Sequence, residues 1–280
     1  MKKRHRQHRA EMPHGADSPL GMAIVGRDEA TLKMVTDAVR HRQAMLAFQP
    51  VMQARAPQQI AFYEGLIRVL DASGRVIPAR DFMPVVENTE LGREIDCVAL
   101  EMGLRTLGRN PSIRLSINMS ARSIGYGRWM NILDRLLKKD ASIGPRLILE
   151  ITESSAMTVP ELVSDFMDRL QGRGIGFALD DFGAGYTAFR HFRNFYFDAV
   201  KIDGQFVRGI HDNPDNQVLT QALIAIAQQF DMLTVAESVE TQQDAEYLMS
   251  IGIDCLQGYL YGAPTIRPPW IPEKQSQQVA

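Results

Sequence analysis

Short apolar runs alternate with longer segments of helical periodicity along most of the chain. The apolar runs are bounded by polar clusters and read as buried strands. They are Leu46–Phe48, Ile60–Val69, Leu115–Ile117, Leu147–Leu149, Ile175–Leu179, Ala199–Ile202, Leu233–Ala236 and Asp254–Leu256. Strands alternating with helices in this way predict an α/β fold, a closed (β/α)8 TIM-like barrel. An open doubly wound sheet is the alternative, but no G-x-G-x-x-G follows the first strand.

The segments between the strands predict helices with one buried face. Their apolar faces are Leu91, Ile95, Val98 and Met102; Val159, Leu162, Phe166 and Leu170; and Leu219, Leu223, Ile226 and Phe230. Two helix starts carry their own signals. Thr158 followed by Glu161 has the form of a capping box, and Asn213 before Pro214 predicts an N-cap with proline at the first helical position.

Length and linker pattern predict a single barrel domain. The 280 residues suit one large domain, which we place at residues 28–268. No spacer rich in Pro, Gly or Ser divides this domain. A basic N-terminal tail is predicted at residues 1–27 and a C-terminal tail at residues 269–280. The basic tail raises a DNA-binding regulator as a further hypothesis, supported by its first ten residues alone.

Charge, hydropathy and cysteine content narrow the class of protein. A net charge of −2 argues against a dedicated DNA-binding protein, so no DNA is expected as a partner, but an anionic ligand held by local charges is compatible with it. No apolar run approaches the roughly 20 residues of a membrane span. Cys97 and Cys255 lie in apolar surroundings, which predicts reduced, buried thiols and a cytoplasmic protein.

Acidic and amide side chains follow the predicted strands. They are Asn118, Glu150, Asp180, Asp181, Asp203, Glu237 and Gln257, and Glu64 lies inside the second run. The carboxyl ends of barrel strands gather at one rim, where such enzymes place their active sites. Carboxylates that crowd together need cations to stay ionised. Oxygen ligands without histidine or cysteine favour Mg²⁺ or Mn²⁺ over zinc, and two such ions suit displacement at phosphorus.

Some of these residues have simpler explanations. Asp203 or Glu153 alone is more typical of a helix cap or a solvated loop, and Asp180-Asp181 also fits the cap of a loop. Lys201 ends an apolar strand, where it could pair with an acid or hold a metal-bound water. Gly183 and Gly185 indicate a flexible loop beside the acids, although many turns look alike.

Taken together, these motifs resemble the EAL-domain family from about Leu46 to Pro264. The motifs are Phe48-Gln-Pro-Val51, Glu64-Gly-Leu-Ile-Arg68, Phe82-Met-Pro84, Asn118-Met-Ser120, Glu150-Ile-Thr-Glu153, Asp180-Asp-Phe-Gly-Ala-Gly-Tyr186, Lys201-Ile-Asp203, Val235-Ala-Glu-Ser-Val-Glu240 and Gln257-Gly-Tyr259. The resemblance implies a barrel with one antiparallel strand. It also implies metal-dependent hydrolysis of cyclic di-GMP to linear pGpG by a homodimer.

The resemblance also implies a role for individual residues. The metal ligands would be Glu64, Asn118, Glu150, Asp180, Asp181 and Glu237. Lys201 would contact and activate the attacking water, which makes Lys201, Glu237 and Glu64 the expected catalytic residues. Substrate contacts would come from Gln49, Arg68 and Gln257. Glu153 would steady the loop through Gly185.

Three departures from the family pattern leave a second function open. The usual alanine of the signature is Gly65, Ser238 replaces a usual glycine, and Phe192–Phe197 replaces leucines and a proline. Loss of the Gly65 methyl would loosen the strand. The alternative to an active phosphodiesterase is a receptor that binds cyclic di-GMP without cleaving it. A third possible function is that of another barrel hydrolase.

Overall fold

The computed structural model describes residues 19–185 and 195–271. The strands are β1 Ala44–Gln53, β2 Ala56–Leu70, β3 Val76–Pro78, β4 Leu115–Asn118, β5 Leu147–Thr152, β6 Gly176–Phe182, β7 Ala199–Ile202, β8 Leu233–Ala236 and β9 Cys255–Gln257. The α-helices are α1 Pro19–Arg40, α2 Met83–Val86, α3 Glu90–Arg109, α4 Gly127–Lys139, α5 Glu153–Thr158, α6 Pro160–Gln171, α7 Gly204–Val207, α8 Pro214–Gln229 and α9 Gln242–Ser250.

Eight of these strands close into a barrel. The order is β1-β9-β8-β7-β6-β5-β4-β2, and β1 pairs with β2 to complete the ring. β1 runs antiparallel to both of its neighbours, while the other barrel pairs are parallel. β3 adds an antiparallel edge strand outside the ring, on β2. The predicted barrel with one antiparallel strand is confirmed, and the open sheet is wrong because the long β1–β2 hairpin joins the sheet edges.

The inside of the barrel is apolar below the carboxyl ends of its strands. Val51, Phe62, Val235 and Cys255 form a buried cluster of their own. Val235 lies opposite Lys201 in the β7–β8 register, and neighbours in register point to the same side of a sheet. Val235 therefore brings this apolar cluster beside Lys201 on the inside of the barrel.

Two predicted helix faces differ from the structure. Leu162 of α6 is 46% exposed and Leu219 of α8 is 48% exposed, whereas α6 buries Val163 and Met167 and α8 buries Ile224 and Ala227. Phe166, Leu170 and Leu223 are buried as predicted, so the predicted faces are right at these positions and wrong at Leu162 and Leu219. Apolar spacing alone could not decide which of two adjacent apolar residues, such as Leu162 and Val163, would be buried.

One predicted cap is confirmed and one is wrong. Asn213 accepts a hydrogen bond from the Asn216 amide at 3.1 Å, with Pro214 at the start of α8. Thr158 instead ends α5, and its hydroxyl donates to the Ser154 carbonyl. α6 then begins at Pro160 without a side-chain cap, because proline is already suited to the first helical position.

Described residues continue across both predicted domain boundaries. The boundary at residue 27 lies inside α1, whose Val35 and Ala38 are buried in a small cluster with Phe82. Beyond residue 268, the Trp270 ring packs edge-on against Tyr63, with centroids 4.5 Å apart. The domain limits at residues 28 and 268 stay predictions.

Both cysteines are buried, as predicted. Cys97 and Cys255 are buried and free, and burial raises the pKa of each thiol to about 11. Within residues 19–185 and 195–271, no helix is both long enough and apolar enough to cross a bilayer.

Candidate active site

A buried lysine lies at the centre of the polar rim. Lys201, on β7, is 1% exposed. Four carboxylates from four other strands or strand ends surround its amine. The distances from Lys201 Nζ are 2.7 Å to Glu237, 2.9 Å to Glu150, 3.2 Å to Asp180 and 3.4 Å to Glu64. The barrel therefore brings these predicted site residues together around one point.

Two amide side chains orient Glu64. Asn118 Nδ2 donates to Glu64 Oε1 at 2.8 Å, and Gln257 Nε2 donates to Glu64 Oε2 at 2.6 Å. Since the Asn118 nitrogen makes this bond, its amide oxygen is the atom suited to bind a cation. Gln257 also donates to Gln49, whose own amide donates to the Gly262 carbonyl. This chain of amides links both strands of the β1–β2 hairpin to the last barrel strand.

Three acids at the rim have the spacing of a cation site. Oxygens of Asp180, Asp181 and Glu237 all lie within 4.8 Å of one another. Asp181 has φ +56°, in the left-handed region that costs energy for residues other than glycine. The β6–β7 pairing shifts register between Leu179 and Phe182. The shift places Asp180 and Asp181 at an irregular point of the sheet, beside Glu237.

Burial, neighbouring carboxylates and Lys201 shift the pKa values of these acids in different directions. Burial, with the charges of Asp180 and Glu64, raises the pKa of Glu237 to about 8 against the opposing effect of Lys201. Burial and the charge of Asp180 raise the pKa of Asp181 to about 6. Burial also acts on Glu64, but Lys201 and the two amides outweigh it and lower its pKa. The cluster therefore holds more negative charge than one lysine can balance, which favours binding of a cation.

Glu153 and Asp203 lie beside the cluster with separate contacts. Glu153, buried at the start of α5, accepts a hydrogen bond from the Gly183 amide at 3.0 Å. Gly185 follows in the same loop, and a Cβ there would lie 3.8 Å from the Glu153 carboxylate. Tyr186, the last residue of the motif, lies outside the described residues. Asp203 accepts from the Gln205 amide and caps α7, so the simpler explanation is confirmed for Asp203.

The glycine in the signature position is tightly packed. A Cβ on Gly65 would lie 2.7 Å from Ile117 Cδ1, on the neighbouring strand β4. The expected loosening of β2 is therefore wrong, because the Ile117 side chain occupies the space of the missing methyl. Glu64 keeps its contacts with Lys201 and the two amides despite this substitution.

Ser238 forms a contact that sequence patterns did not predict. Its φ is +56°, and its hydroxyl accepts a hydrogen bond from Arg208 Nη2 at 2.9 Å. A Cβ added to Gly204 would lie 2.7 Å from Ser238 Cβ. The serine at 238 thus requires a glycine at 204, although the two positions are far apart in sequence.

We expect Gly204→Ala to lower the free energy of unfolding by about 1–3 kcal/mol, as overpacking does. In a Ser238→Gly background the same change should cost almost nothing, because the side chain it meets is gone. Ser238→Gly alone should be close to neutral, since relief of the left-handed φ offsets loss of the Arg208 bond. Urea unfolding of the four proteins measures the coupling; additive effects would contradict the steric pairing.

A cavity of about 350 Å³ opens above the acid cluster. Its floor includes Glu64, Asp180, Lys201 and Glu237, and the predicted substrate residues Gln49, Arg68 and Gln257 line it. Arg68 is half-buried, and burial lowers its pKa. Residues that sequence reasoning missed also line the cavity: Arg80, Arg208, Ser238, Glu240 and Tyr259. Arg208, Glu240 and Tyr259 stand within or beside the family motifs, but no spacing rule marked them as facing the cavity.

The family model for the EAL domain matches residues 32–264 of this chain. The chain belongs to the EAL domain family. The match includes every barrel strand and each of the clustered residues described above.

Curated proteins and solved structures resemble this EAL domain over most of its length. It is 32% identical to cyclic di-GMP phosphodiesterase PdeF of Escherichia coli K12 over 84% of this chain and 32% of the relative. It is 28% identical to the bifunctional diguanylate cyclase/cyclic di-GMP phosphodiesterase MucR of Pseudomonas aeruginosa over 81% of this chain and 34% of the relative. The chain thus spans about a third of the length of these curated relatives.

Two solved structures share the fold. The PaMucR phosphodiesterase in complex with c-di-GMP has a TM-score of 0.73 and 26% identity, and the match covers 88% of this chain and 99% of that one. The FimX EAL domain from Pseudomonas aeruginosa bound to c-di-GMP has a TM-score of 0.76 and 23% identity, with 85% and 97% covered. The similar proteins thus include some that are named as phosphodiesterases, and a FimX domain that is described only as bound to c-di-GMP.

Proposed function

We propose that this EAL domain hydrolyses cyclic di-GMP to linear pGpG with the help of two divalent cations, Mg²⁺ or Mn²⁺. The observation that carries the proposal is the set of carboxylates around Lys201. The expected ligand residues and Lys201 are all present. Four of the carboxylates lie within 3.4 Å of Lys201 Nζ, and Asp180, Asp181 and Glu237 lie within 4.8 Å of one another. Relatives named as cyclic di-GMP phosphodiesterases support the choice of substrate.

The donor atoms of the cluster fit hard cations. Glu64, Asn118, Glu150, Asp180 and Glu237 would hold one ion, and Asp180 and Asp181 the other. All of these offer oxygen, the donor that Mg²⁺ and Mn²⁺ prefer. When bound, such a pair neutralises the phosphodiester and lowers the pKa of a coordinated water.

The chain's own residues would complete the reaction. Lys201, held by four carboxylates, would donate a hydrogen bond to the attacking water and fix its position. Arg68, on the cavity wall, would bind a phosphate oxygen through charge-assisted hydrogen bonds. Gln257 bonds Glu64 and Gln49, so its part would be to hold Glu64 and close the cavity floor. Glu153 would steady the loop of Gly183 and Gly185.

The test is incubation of the purified protein with cyclic di-GMP and Mg²⁺ or Mn²⁺, with pGpG followed by chromatography. We expect product only when a metal is present, and none after chelation by EDTA. Binding without product would favour the receptor function instead, which remains the second candidate because Gly65 and Ser238 depart from the family pattern. If the protein neither binds nor hydrolyses cyclic di-GMP, both functions are refuted.

Dimerisation is a further part of the proposal. It rests on the family resemblance, and part of the segment with the unusual aromatic residues, Phe192–Asn194, lies outside the described residues. Of the remainder, the rings of Phe195 and Phe197 pack against each other at 5.4 Å between centroids, while Tyr196 is exposed. A monomeric mass by light scattering with ligand and metal present would refute the dimer.

A further inference from the structure

A buried carboxylate binds the turn that follows Asn118. Asp96 is on α3 and is 6% exposed. Its Oδ2 accepts two hydrogen bonds, from the Ser120 amide at 3.0 Å and from the Ser123 hydroxyl at 2.6 Å. Both donors belong to the turn that begins where β4 ends at Asn118. Asp96 therefore fastens this turn to α3.

Asp96 occupies a position that is unfavourable for a charge. Aspartate is seldom buried this far without donors around it. Burial raises the pKa of Asp96 to about 6, although the hydrogen bonds from Ser123 and Ser120 act in the opposite direction. An apolar side chain would fill the same space without this cost. The bonds to the turn are therefore what distinguishes Asp96 from a residue that only fills the core.

The turn bound to Asp96 holds Asn118 where the sheet holds it least. Asn118 lies opposite Glu150 of β5, whereas the register with β2 ends one residue earlier, at Ile117. The sheet thus supports the backbone of Asn118 on one side only. Its side-chain nitrogen donates to Glu64 at 2.8 Å, which leaves its amide oxygen for a cation. The bonds to Asp96 fix the chain two residues further on.

We propose that Asp96 is a positioning residue for the cation site and acts through Asn118. By holding the turn, it keeps the Asn118 amide in the orientation that gives its nitrogen to Glu64 and its oxygen to a cation. A ligand that is fixed before the cation arrives loses less freedom on binding, so the affinity is higher. This inference rests on the proposed function, because it concerns the same cations.

The test measures Mn²⁺ affinity by calorimetric titration of the full chain. Asp96→Ala removes the acceptor of both hydrogen bonds and should weaken Mn²⁺ binding about 10-fold, as loss of a residue that supports a metal ligand does. The turn should still form, since the Ala121 amide donates to the Ser155 hydroxyl at 2.9 Å. Asp96→Asn keeps an oxygen that accepts both bonds, so it should bind Mn²⁺ nearly as well as the wild type.

Asp254→Ala separates positioning from a general loss of stability. Asp254 Oδ2 likewise accepts from one backbone amide and one hydroxyl, both of Thr234 and both at 2.9 Å. These two residues lie at the amino ends of β8 and β9, at the opposite end of the barrel from the acid cluster. Asp254→Ala should lower the melting temperature as Asp96→Ala does, but it should leave Mn²⁺ affinity unchanged.

A double-mutant cycle with Asn118 tests the route of the effect. Asn118→Ala alone should weaken Mn²⁺ binding, and Asp96→Ala added to it should cause no further loss, because the residue through which Asp96 acts is gone. Equal losses in both backgrounds would overturn the proposal, as would an Asp96→Ala protein that binds Mn²⁺ like the wild type.

Two further results keep the proposal testable. If Asp96→Ala does not fold, Ser123→Ala takes its place in the cycle, because it removes one of the two donors and leaves Asp96 intact. It should weaken Mn²⁺ binding less than Asp96→Ala would, and again only when Asn118 is present; no loss would overturn the proposal. A wild-type protein that binds no Mn²⁺ would refute the proposed metal site itself.

Discussion

Lys201→Met is expected to lower kcat for cyclic di-GMP by about 10²- to 10³-fold, because the proposed role of Lys201 is to donate a hydrogen bond to the attacking water, and loss of one such donor has an effect of this size. The Lys201 amine lies within 2.7–3.4 Å of four carboxylates, where it can hold a water over them. Methionine has a similar length and no charge, so the cavity keeps its shape. Steady-state kinetics with saturating metal measure the effect.

The same substitution should change stability in a way that depends on metal. Without a cation, Lys201→Met leaves buried carboxylates without their positive partner, which is strongly destabilising. Added Mn²⁺ should restore much of the loss, because the cation supplies the missing charge, so the melting temperature should rise further than in the wild type. Lys138→Met, on the exposed end of α4, is the control. Unchanged kcat in Lys201→Met would rule out a role in water activation.

Much of the candidate site follows from the sequence because one rule positions it. Glu150, Asp180 and Glu237 directly follow apolar runs or end them, and parallel strands carry such residues to the same rim. The structure places their carboxylates around one amine. Local periodicity was sufficient to predict these residues, because side chains at the carboxyl ends of parallel barrel strands all lie at the same rim.

Features that depend on contacts between loops could not be predicted in this way. Arg208, Ser238 and Glu240 come from loops after two different strands, and their pairing depends on the left-handed φ of Ser238. The effect of Gly65 was misjudged for a similar reason. Its missing methyl is compensated by Ile117 of the next strand, a contact that no single-strand pattern contains.

Glu237→Gln is expected to lower kcat at least about 10³-fold, since Glu237 is a proposed metal ligand and loss of such a ligand removes several kcal/mol of transition-state stabilisation. Glu237 belongs to the acid trio with Asp180 and Asp181. Glutamine keeps the shape of the side chain and removes the charge. Calorimetric titration with Mn²⁺ should show cation affinity reduced at least about 10-fold, while Glu246→Gln, on the exposed side of α9, should match the wild type.

Lys201→Met and Glu237→Gln should have opposite effects on the rise in melting temperature that Mn²⁺ causes. Burial and neighbouring acids raise the pKa of Glu237 to about 8, so ionisation of this group opposes folding at neutral pH, and a neutral glutamine in its place should cost the metal-free protein little stability. Glu237→Gln should therefore leave the metal-free melting temperature nearly unchanged and reduce its rise on addition of Mn²⁺. Lys201→Met should lower the metal-free value and enlarge that rise. Parallel melting curves of both variants, with and without Mn²⁺, test whether the carboxylates around Lys201 bind cations; equal rises in both would show that the metal binds elsewhere.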